Sequence, residues 1–511
     1  MTSLIMDKLS IGILQTVFVF ACVEPYALDH SDTSRSTLML VCSVWKNAAL
    51  STPELWTHFR TSVFSTIPTR DEQRLTRLDQ VIARCPDASL NVVLCSPSDE
   101  RRRHSQHRTL PSPFMARLQK TAVRWVSLDI TLERRELLLM KQFEGHLTTL
   151  EHVNIRPTPT AFETDSDPVP FHSSDLFSDA PRLRSVHCFY AVATTFNFPW
   201  RQLNEFSYSV MTKTHCNTLS TSVETGLSRA TLLQEINFRA LVGAGVVPRP
   251  NPTHDFMDSV PTVNIPSVRK ISLGDYIEYQ PVAPVLPSLE HLELTSFSRI
   301  YLVKSLIHRS GCSVTSLDLP RLLPAEQSKL EHISQELKGL KHLRIRYNSD
   351  VKGILHKKGR TNIALTSLFT LLTLLGNEQT VFPALETLDV QANEERYITS
   401  DWIAANYPIN SDVLRALKIM VCSRSGTLRG VNERPYARVA FIPVGDVEIL
   451  KIPDLAEFQA SAVWKQLEAE YKGHLGVNLL VEQRYKQREV GLSVKTSMTS
   501  FRITLGTKRH T

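Results

Sequence analysis

Apolar residues return along this chain in one short pattern, apolar-x-x-apolar-x-apolar. It occurs as WVSLDI ending at Ile130, LEHVNI at Ile155, LRSVHC at Cys188, LNEFSY at Tyr208 and LQEINF at Phe238, then as VRKISL at Leu273, LEHLEL at Leu294, VTSLDL at Leu319, LKHLRI at Ile345 and LETLDV at Val390. LRALKI at Ile419 is a looser late member. Alternation over the last four residues is that of a half-buried strand. Several units open alike, as Ala180-Pro181-Arg182-Leu183, Ile265-Pro266-Ser267-Val268, Leu286-Pro287-Ser288-Leu289 and Phe382-Pro383-Ala384-Leu385, with proline ending one element before the strand begins. Between strands, 301–309, 326–337 and 365–375 carry apolar residues at three- and four-residue steps, which predicts helices. A helix over 71–83 and a strand over 90–94 form the first such pair. The units recur every 20 to 45 residues or so. One unit cannot bury its apolar edge alone; a stack shares a continuous core, so the pattern predicts a curved array with one parallel sheet. Breaker-rich stretches at 96–113, 157–175, 243–262 and 350–362 read as insertion loops. A helix over 455–471 and an alternating segment over 491–505 read as a C-terminal cap.

The N-terminal 60 residues follow a different period. Leu38, Val41, Cys42, Trp45 and Ala49 recur at three and four and predict one face of one helix. Ser51 or Thr52 is suited to accept the free N–H groups of a new turn, with Pro53 at its first position and Leu55 and Trp56 folding back. Upstream, Leu9, Ile13, Leu14, Val17 and Phe18 form a second apolar helix.

These residues resemble the F-box, in the form common in mushroom-type fungi. There a Val-Cys-x-x-Trp helix runs into Ala-x-x-Ser-Thr-Pro-x-Leu-Trp, matched here by Val41, Cys42, Trp45, Ala48, Ser51, Thr52, Pro53, Leu55 and Trp56. The first half of that module corresponds to Leu9, Ser10, Ile11, Gly12, Ile13 and Leu14, closed by Val17 and Phe18, with Ser10 where the pattern has proline and Gly12 where it has an acid. With the repeats behind it, the chain resembles fungal F-box proteins with leucine-rich repeats. The resemblance implies an α/β protein: a short all-helical F-box-like domain over 1–60, an irregular leucine-rich-repeat-like solenoid over 61–455 and a cap over 456–511. It further implies a substrate-recognition subunit of a Skp-cullin-F-box ubiquitin ligase. Leu9, Ile13, Leu14, Val17 and Val41 would hold a Skp-type adaptor and, through it, a cullin, while the solenoid presents a protein target. The alternative is a non-ligase interaction scaffold in which a degenerate F-box serves as the N-terminal cap, a reading that Ser10, Gly12 and Ser43 favour.

A length of 511 residues exceeds one ordinary domain, and 42% hydrophobic with 21% charged residues is a globular composition. The net charge of +7 is mild for this length and gives no dedicated nucleic-acid surface. Eight cysteines without a C-x-x-C pair speak against a zinc site or a disulfide framework, so reduced thiols in the cytoplasm or nucleus are expected. The run 9–23 imitates a signal peptide, but the one Asn-x-Ser/Thr triplet, Asn251-Pro252-Thr253, is disqualified by its proline; the helix reading is preferred. No apolar run approaches bilayer length, so no membrane insertion is expected.

No phosphate loop, Gly-x-Ser-x-Gly elbow or His-Glu-x-x-His helix occurs, so neither an enzyme nor a cofactor is expected. Glu163, Asp165 and Asp167 lack the flanking ligands of a calcium loop, and the basic run from Arg101 to Arg108 lacks aromatics for base stacking; both read as solvated loops. The strand ladder offers more. Residues just after the middle apolar position of each unit are Asp129, Asn154, His187, Ser207, Asn237, Ser272, Glu293, Asp318, Arg344 and Asp389, and those just before it are Ser127, His152, Ser185, Glu205, Glu235, Lys270, His291, Ser316, His342 and Thr387. Both rows lean acidic in a basic chain. Glu205, Glu235, Glu293, Asp318 and Asp389 are therefore the candidate partner-binding residues of a concave face, for a target with a basic segment.

Overall fold

The computed structural model describes residues 10–29, 32–62, 68–96, 113–132, 138–157, 175–189, 196–210, 221–240, 262–274, 283–295, 300–319, 327–348, 366, 368–372, 381–393, 416, 477–487 and 495–505. The chain forms two compact units, one of Met1–Ile236 with Ala240–Ile265, the other of Asn237–Arg239 with Pro266–Thr511. Both are mixed α/β with parallel strands.

The first unit opens with helices α1 (Ile11–Ala21), α2 (Thr33–Val41) and α3 (Ser43–Leu50). Ser10 and Asp32 start the first two, each accepting from an amide three residues on, Ile13 N at 3.4 Å and Arg35 N at 2.8 Å. The single helix expected through Val41 and Trp45 is two, because Cys42 is extended, with φ −163° and ψ 171°. Pro53 does start a 3₁₀ turn, Pro53–Leu55, but neither Ser51 nor Thr52 caps it. Their hydroxyls donate backwards to Ala48 O, at 3.1 and 2.6 Å, and close the end of α3 instead.

Strands β1 (Tyr26–Ala27), β2 (His58–Ser62), β3 (Leu90–Cys95), β4 (Trp125–Leu132), β5 (His152–Pro157), β6 (Ser185–Phe189) and β7 (Glu205–Val210) then pair in chain order, each parallel to the next. Strand β8 (Glu235–Ala240) contains the division between the units, and the short β9 (Thr262–Asn264) lies in the first. In the second unit β10 (Lys270–Leu273), β12 (His291–Leu294), β13 (Ser316–Leu319), β14 (His342–Asn348) and β15 (Thr387–Asn393) form the same parallel ladder; β11 (Ala283–Val285) is a short strand between the first two of these in sequence. Every strand expected from the six-residue pattern up to Val390 is a strand here. Leu414 to Ile419 lie outside the described residues except Ala416, which is buried.

The sequence pattern works through one repeated device. Its first apolar residue (Leu183, Leu203, Leu289, Leu340) is buried at the end of a tight turn, and the next two amides donate to one carbonyl of the preceding unit. Thus Arg184 and Ser185 bind Glu151 O, Asn204 and Glu205 bind Arg184 O, Thr315 and Ser316 bind Glu290 O, and Lys341 and His342 bind Thr315 O, all at 2.8 to 3.0 Å. Each shared carbonyl fixes register, and alternation then buries the second and third apolar residues, as Leu292 and Leu294 or Leu343 and Ile345.

Return segments are less uniform than a helix in every unit. Helices α4 (Pro68–Arg84), α5 (Pro113–Thr121) and α6 (Thr221–Arg229) serve the first unit, α7 (Ile300–Ser310) and α8 (Gln327–Ser334) the second, while 3₁₀ turns at Leu138–Phe143 and Trp200–Gln202 replace helices elsewhere. In α6 a Cβ on Gly226 would overlap the indole of Trp200, so only glycine lets the helix lie there. The C-terminal end holds two strands where one was expected: β16 (Val477–Gln487) pairs antiparallel with β17 (Lys495–Leu505), and β17 pairs antiparallel with β15. The expected helix over 455–471 and the four breaker-rich interiors lie outside the described residues. Among the described residues no helix is long and apolar enough to cross a membrane.

Candidate functional site

Helix α1 carries two apolar rows and no charged residue. Leu14 and Phe18, four apart, turn inward, and the Phe18 ring lies 5.0 Å from that of Trp45. Ile13, Val17 and Phe20, at steps of four and three, share the outer face and are 52%, 51% and 71% exposed. Leu40 and Val41, at the end of α2, and Val44, in the first turn of α3, are exposed as well, Leu40 by 83%. Among the described residues nine of the eleven exposed large apolar side chains fall between Ile11 and Val44. Clustered exposure of this kind marks interaction surfaces, whereas single exposed apolar residues are ordinary.

What holds these helices is a buried cation. Arg35 of α2 is paired with Asp32 at 2.6 Å and donates to Leu55 O at 2.8 Å, Glu24 O at 2.8 Å and Cys22 O at 3.3 Å, tying the end of α1 and the Pro53–Leu55 turn to α2. Trp56, fully buried, donates from Nε1 to Ala49 O at 3.1 Å, meets Tyr26 edge-on and lies under the Arg84 guanidinium at 3.9 Å. Trp45 is only half-buried, and its indole Nε1 has no hydrogen-bond partner. Next to this cluster, Arg74 of α4 is paired with Asp29 at 2.9 Å and Asp71 at 2.8 Å and stacks on Phe114 at 4.0 Å; burial lowers its pKa while the two aspartates oppose that. His58 on β2 is held below the ordinary histidine range by burial first and by Arg35 second.

Of the residues expected to hold an adaptor, Ile13, Val17 and Val41 are on the surface. Leu14 is 3% exposed, so it belongs to the module's core and not to the outer face expected of it. Leu9 lies outside the described residues. Phe20, Leu40 and Val44 are exposed as well. The 13-17-20 spacing puts Phe20 on the outer row, and Leu40 and Val44, four apart, lie opposite the Leu38-Trp45-Ala49 stripe.

On the strand face, alternation puts both polar rows opposite the core, but they are less open and less acidic than expected. Ser207, Asn237, Ser272 and Thr387 are buried. Glu205 accepts from Ser185 Oγ at 2.9 Å, and Glu235 is half-buried on β8. Arg344 lies between Asp318, at 3.4 Å, and Asp389, at 3.0 Å, and Arg502 of β17 is in register with Asp389. In the first unit Arg156 pairs with Asp129 at 3.1 Å. In the second unit Glu293 and Asp318 are adjacent by register and Asp318 and Asp389 share an arginine, while in the first Glu205 accepts from Ser185. Among the described residues no group of three His, Cys, Asp or Glu could hold a metal ion. The 101–108 basic run and the Glu163, Asp165, Asp167 cluster lie outside the described residues. No protein-family model matches the chain, and no curated protein matches its sequence.

Proposed function

We infer that this chain is an F-box-like, leucine-rich-repeat-like subunit that recruits a protein target to a Skp-cullin ubiquitin ligase. The observation that carries this reading is the outer face of the first three helices, where Ile13, Val17 and Phe20 on α1, with Leu40, Val41 and Val44 further along, remain exposed on a scaffold fixed by Arg35 and Trp56. A soluble helical adaptor with an apolar groove is the partner that such an uncharged face suits. The parallel strands supply an extended polar surface for a target, and the contribution to catalysis is proximity: target and ubiquitin-charged enzyme are held in one assembly, with no reacting group from this chain.

A second reading has its own support. Tyr26 of β1 pairs into the ladder through β2 and meets Trp56, so the helices also close the end of the strand array, as a cap of a non-ligase scaffold would. Affinity purification of the tagged full chain followed by mass spectrometry separates the two. Recovery of a Skp-type adaptor and a cullin supports the ligase reading; recovery of other partners without an adaptor supports the scaffold.

A further inference from the structure

In the first unit two arginines from separate strands reach over the pair of strands between them. Phe59 and Thr61 of β2, Leu128 and Ile130 of β4, and Val153 and Ile155 of β5 are buried in the core, so alternation turns Arg60, Asp129, Thr131 and Arg156 to the opposite face. Arg60 of β2 donates from Nε to Sγ of Cys95 on β3 at 3.3 Å, and Arg156 of β5 donates from Nη2 to Oδ2 of Asp129 on β4 at 3.1 Å. Val93 is in register with Asp129 and Cys95 with Thr131, so the two anchors, Cys95 and Asp129, are diagonal neighbours about 8 Å apart. Thr131 is in turn in register with Arg156, which places its half-exposed side chain between the two arginines.

Both guanidinium groups keep donors open to solvent. Arg60 is exposed and, among the described residues, has the Cys95 thiol as its hydrogen-bond acceptor and no carboxylate in an ion pair; Asp29, which attracts it from further off, is paired with Arg74 at 2.9 Å. A thiol is a weak acceptor, and it leaves Nη1 and Nη2 of Arg60 unused. The side chain of Arg156 is 51% exposed, and its single bond to Asp129 leaves Nε and Nη1 unused. Two guanidinium groups and one carboxylate thus leave one positive charge in excess. The other acid of this face, Glu205, lies two strands beyond Arg156 on β7 and accepts from Ser185.

The geometry points to a site for one carboxylate side chain of an acidic partner segment, bridged between Arg60 and Arg156 with the Thr131 hydroxyl alongside. The inference rests on reading the strand face as the target-presenting surface. Each charge-assisted N–H···O bond spans about 2.8 Å, so two of them, with the width of a carboxylate between, cover the gap between the two anchors. The planar fork of an arginine matches a carboxylate edge, and both forks here are held in place by a bond on their other side. One carboxylate neutralises the single excess charge, whereas a phosphoryl group, at about −1.5 to −2, leaves the site negative beside Asp129. A basic segment meets both guanidinium groups as like charges. This end of the face therefore takes the opposite partner to the one that the acid-leaning rows suggest.

The test uses the full chain and three labelled peptides, read by fluorescence anisotropy at low and physiological salt. One alternates glycine and glutamate, one glycine and lysine, and the third carries phosphoserines among glycines at the net charge of the first. The glutamate peptide is expected to bind best, and less tightly as salt rises. Arg60→Gln and Arg156→Gln should each weaken it about fivefold, whereas Arg229→Gln, the same charge change at an exposed position of α6, should leave it within about twofold. Asp129→Asn should tighten it, because the like charge is gone while the amide oxygen still accepts from Arg156; a merely structural role for Asp129 gives no such gain. Both arginines are exposed, so the melting temperatures of their variants should match the wild type. No binding of the glutamate peptide by the wild-type chain, equal weakening in Arg60→Gln and Arg229→Gln, or tighter binding of the phosphoserine peptide overturns the proposal. None of these residues lies on the N-terminal helices, so adaptor capture by the same variants reports separately on the ligase reading.

Discussion

Replacing Arg35 by alanine should open the N-terminal helices. The substitution removes one ion pair with Asp32 and the donors for three backbone carbonyls, Leu55 O, Cys22 O and Glu24 O, of which the first two are fully buried contacts. An unmet buried acceptor costs about 1–3 kcal/mol, and Glu24 O, at the module's edge, regains water. Asp32 keeps its cap on α2 through the Arg35 amide but loses its countercharge. Breaking a buried pair by deleting one partner costs about 3–5 kcal/mol in general, and the bonds counted here fall in that range. About 4 kcal/mol raises the population of the opened module roughly a thousandfold, and proteolysis tracks that population when opening and closing are fast. Limited proteolysis of the full chain, with cleavage sites mapped by mass spectrometry, should therefore show new cuts within residues 10–62 in Arg35→Ala. Arg35→Lys should be intermediate, because an ammonium keeps the charge beside Asp32 but lacks the fork that spans separate carbonyls. Wild-type resistance of Arg35→Ala throughout 10–62 would refute the reasoning.

The two tryptophans should separate: Trp56→Ala costs about 3–5 kcal/mol, and Trp45→Ala clearly less, since only the former is fully buried and hydrogen-bonded; urea unfolding followed by far-UV circular dichroism checks the order. Gly226→Ala should destabilise the first unit by about 1–3 kcal/mol by displacing Trp200, seen as a lower melting temperature and altered tryptophan fluorescence. Acid should weaken the region around β2. The unfolded chain protonates His58 near its ordinary pKa of 6.5 and the folded chain only at lower pH, so in that window the unfolded state binds more protons and stability falls as pH falls. His58→Gln should flatten this loss in melts taken from about pH 7.5 to about pH 5.5, whereas an unchanged slope would remove His58 from the account.

The strands were legible because their information is local. A buried leucine at the turn, two more at alternate positions and a proline ahead of the turn state both the element and its inward face, and Leu289, Leu292 and Leu294 do this without help from the rest of the chain. Helix α1 was legible for the same reason. Local pattern failed where a distant partner decides. Arg35 and Arg74 look like surface residues of polar helices, yet both are buried because carbonyls and aspartates from other segments converge on them. The split at Cys42 is invisible to periodicity, which runs across it unbroken, and Val41 and Cys42, members of the apolar stripe, are exposed beside it. The resemblance puts Leu14 on the surface, whereas its spacing to Phe18 marks the inward row on which both lie. The acid lean of the polar rows is a property of single residues, whereas register, which no single strand shows, aligns Arg344 between Asp318 and Asp389.

The outer face of α1 to α3 is proposed to hold a Skp-type adaptor. Titration of the purified full chain with purified adaptor by isothermal calorimetry tests it most directly, alongside a triple variant, Ile13→Asp with Val17→Asp and Phe20→Asp, whose substitutions all fall on exposed positions. The account predicts one adaptor per chain for the wild type and affinity at least a hundredfold weaker for the variant, with an unchanged melting temperature. No heat of binding from the wild type, or undiminished affinity in the triple variant, would contradict it.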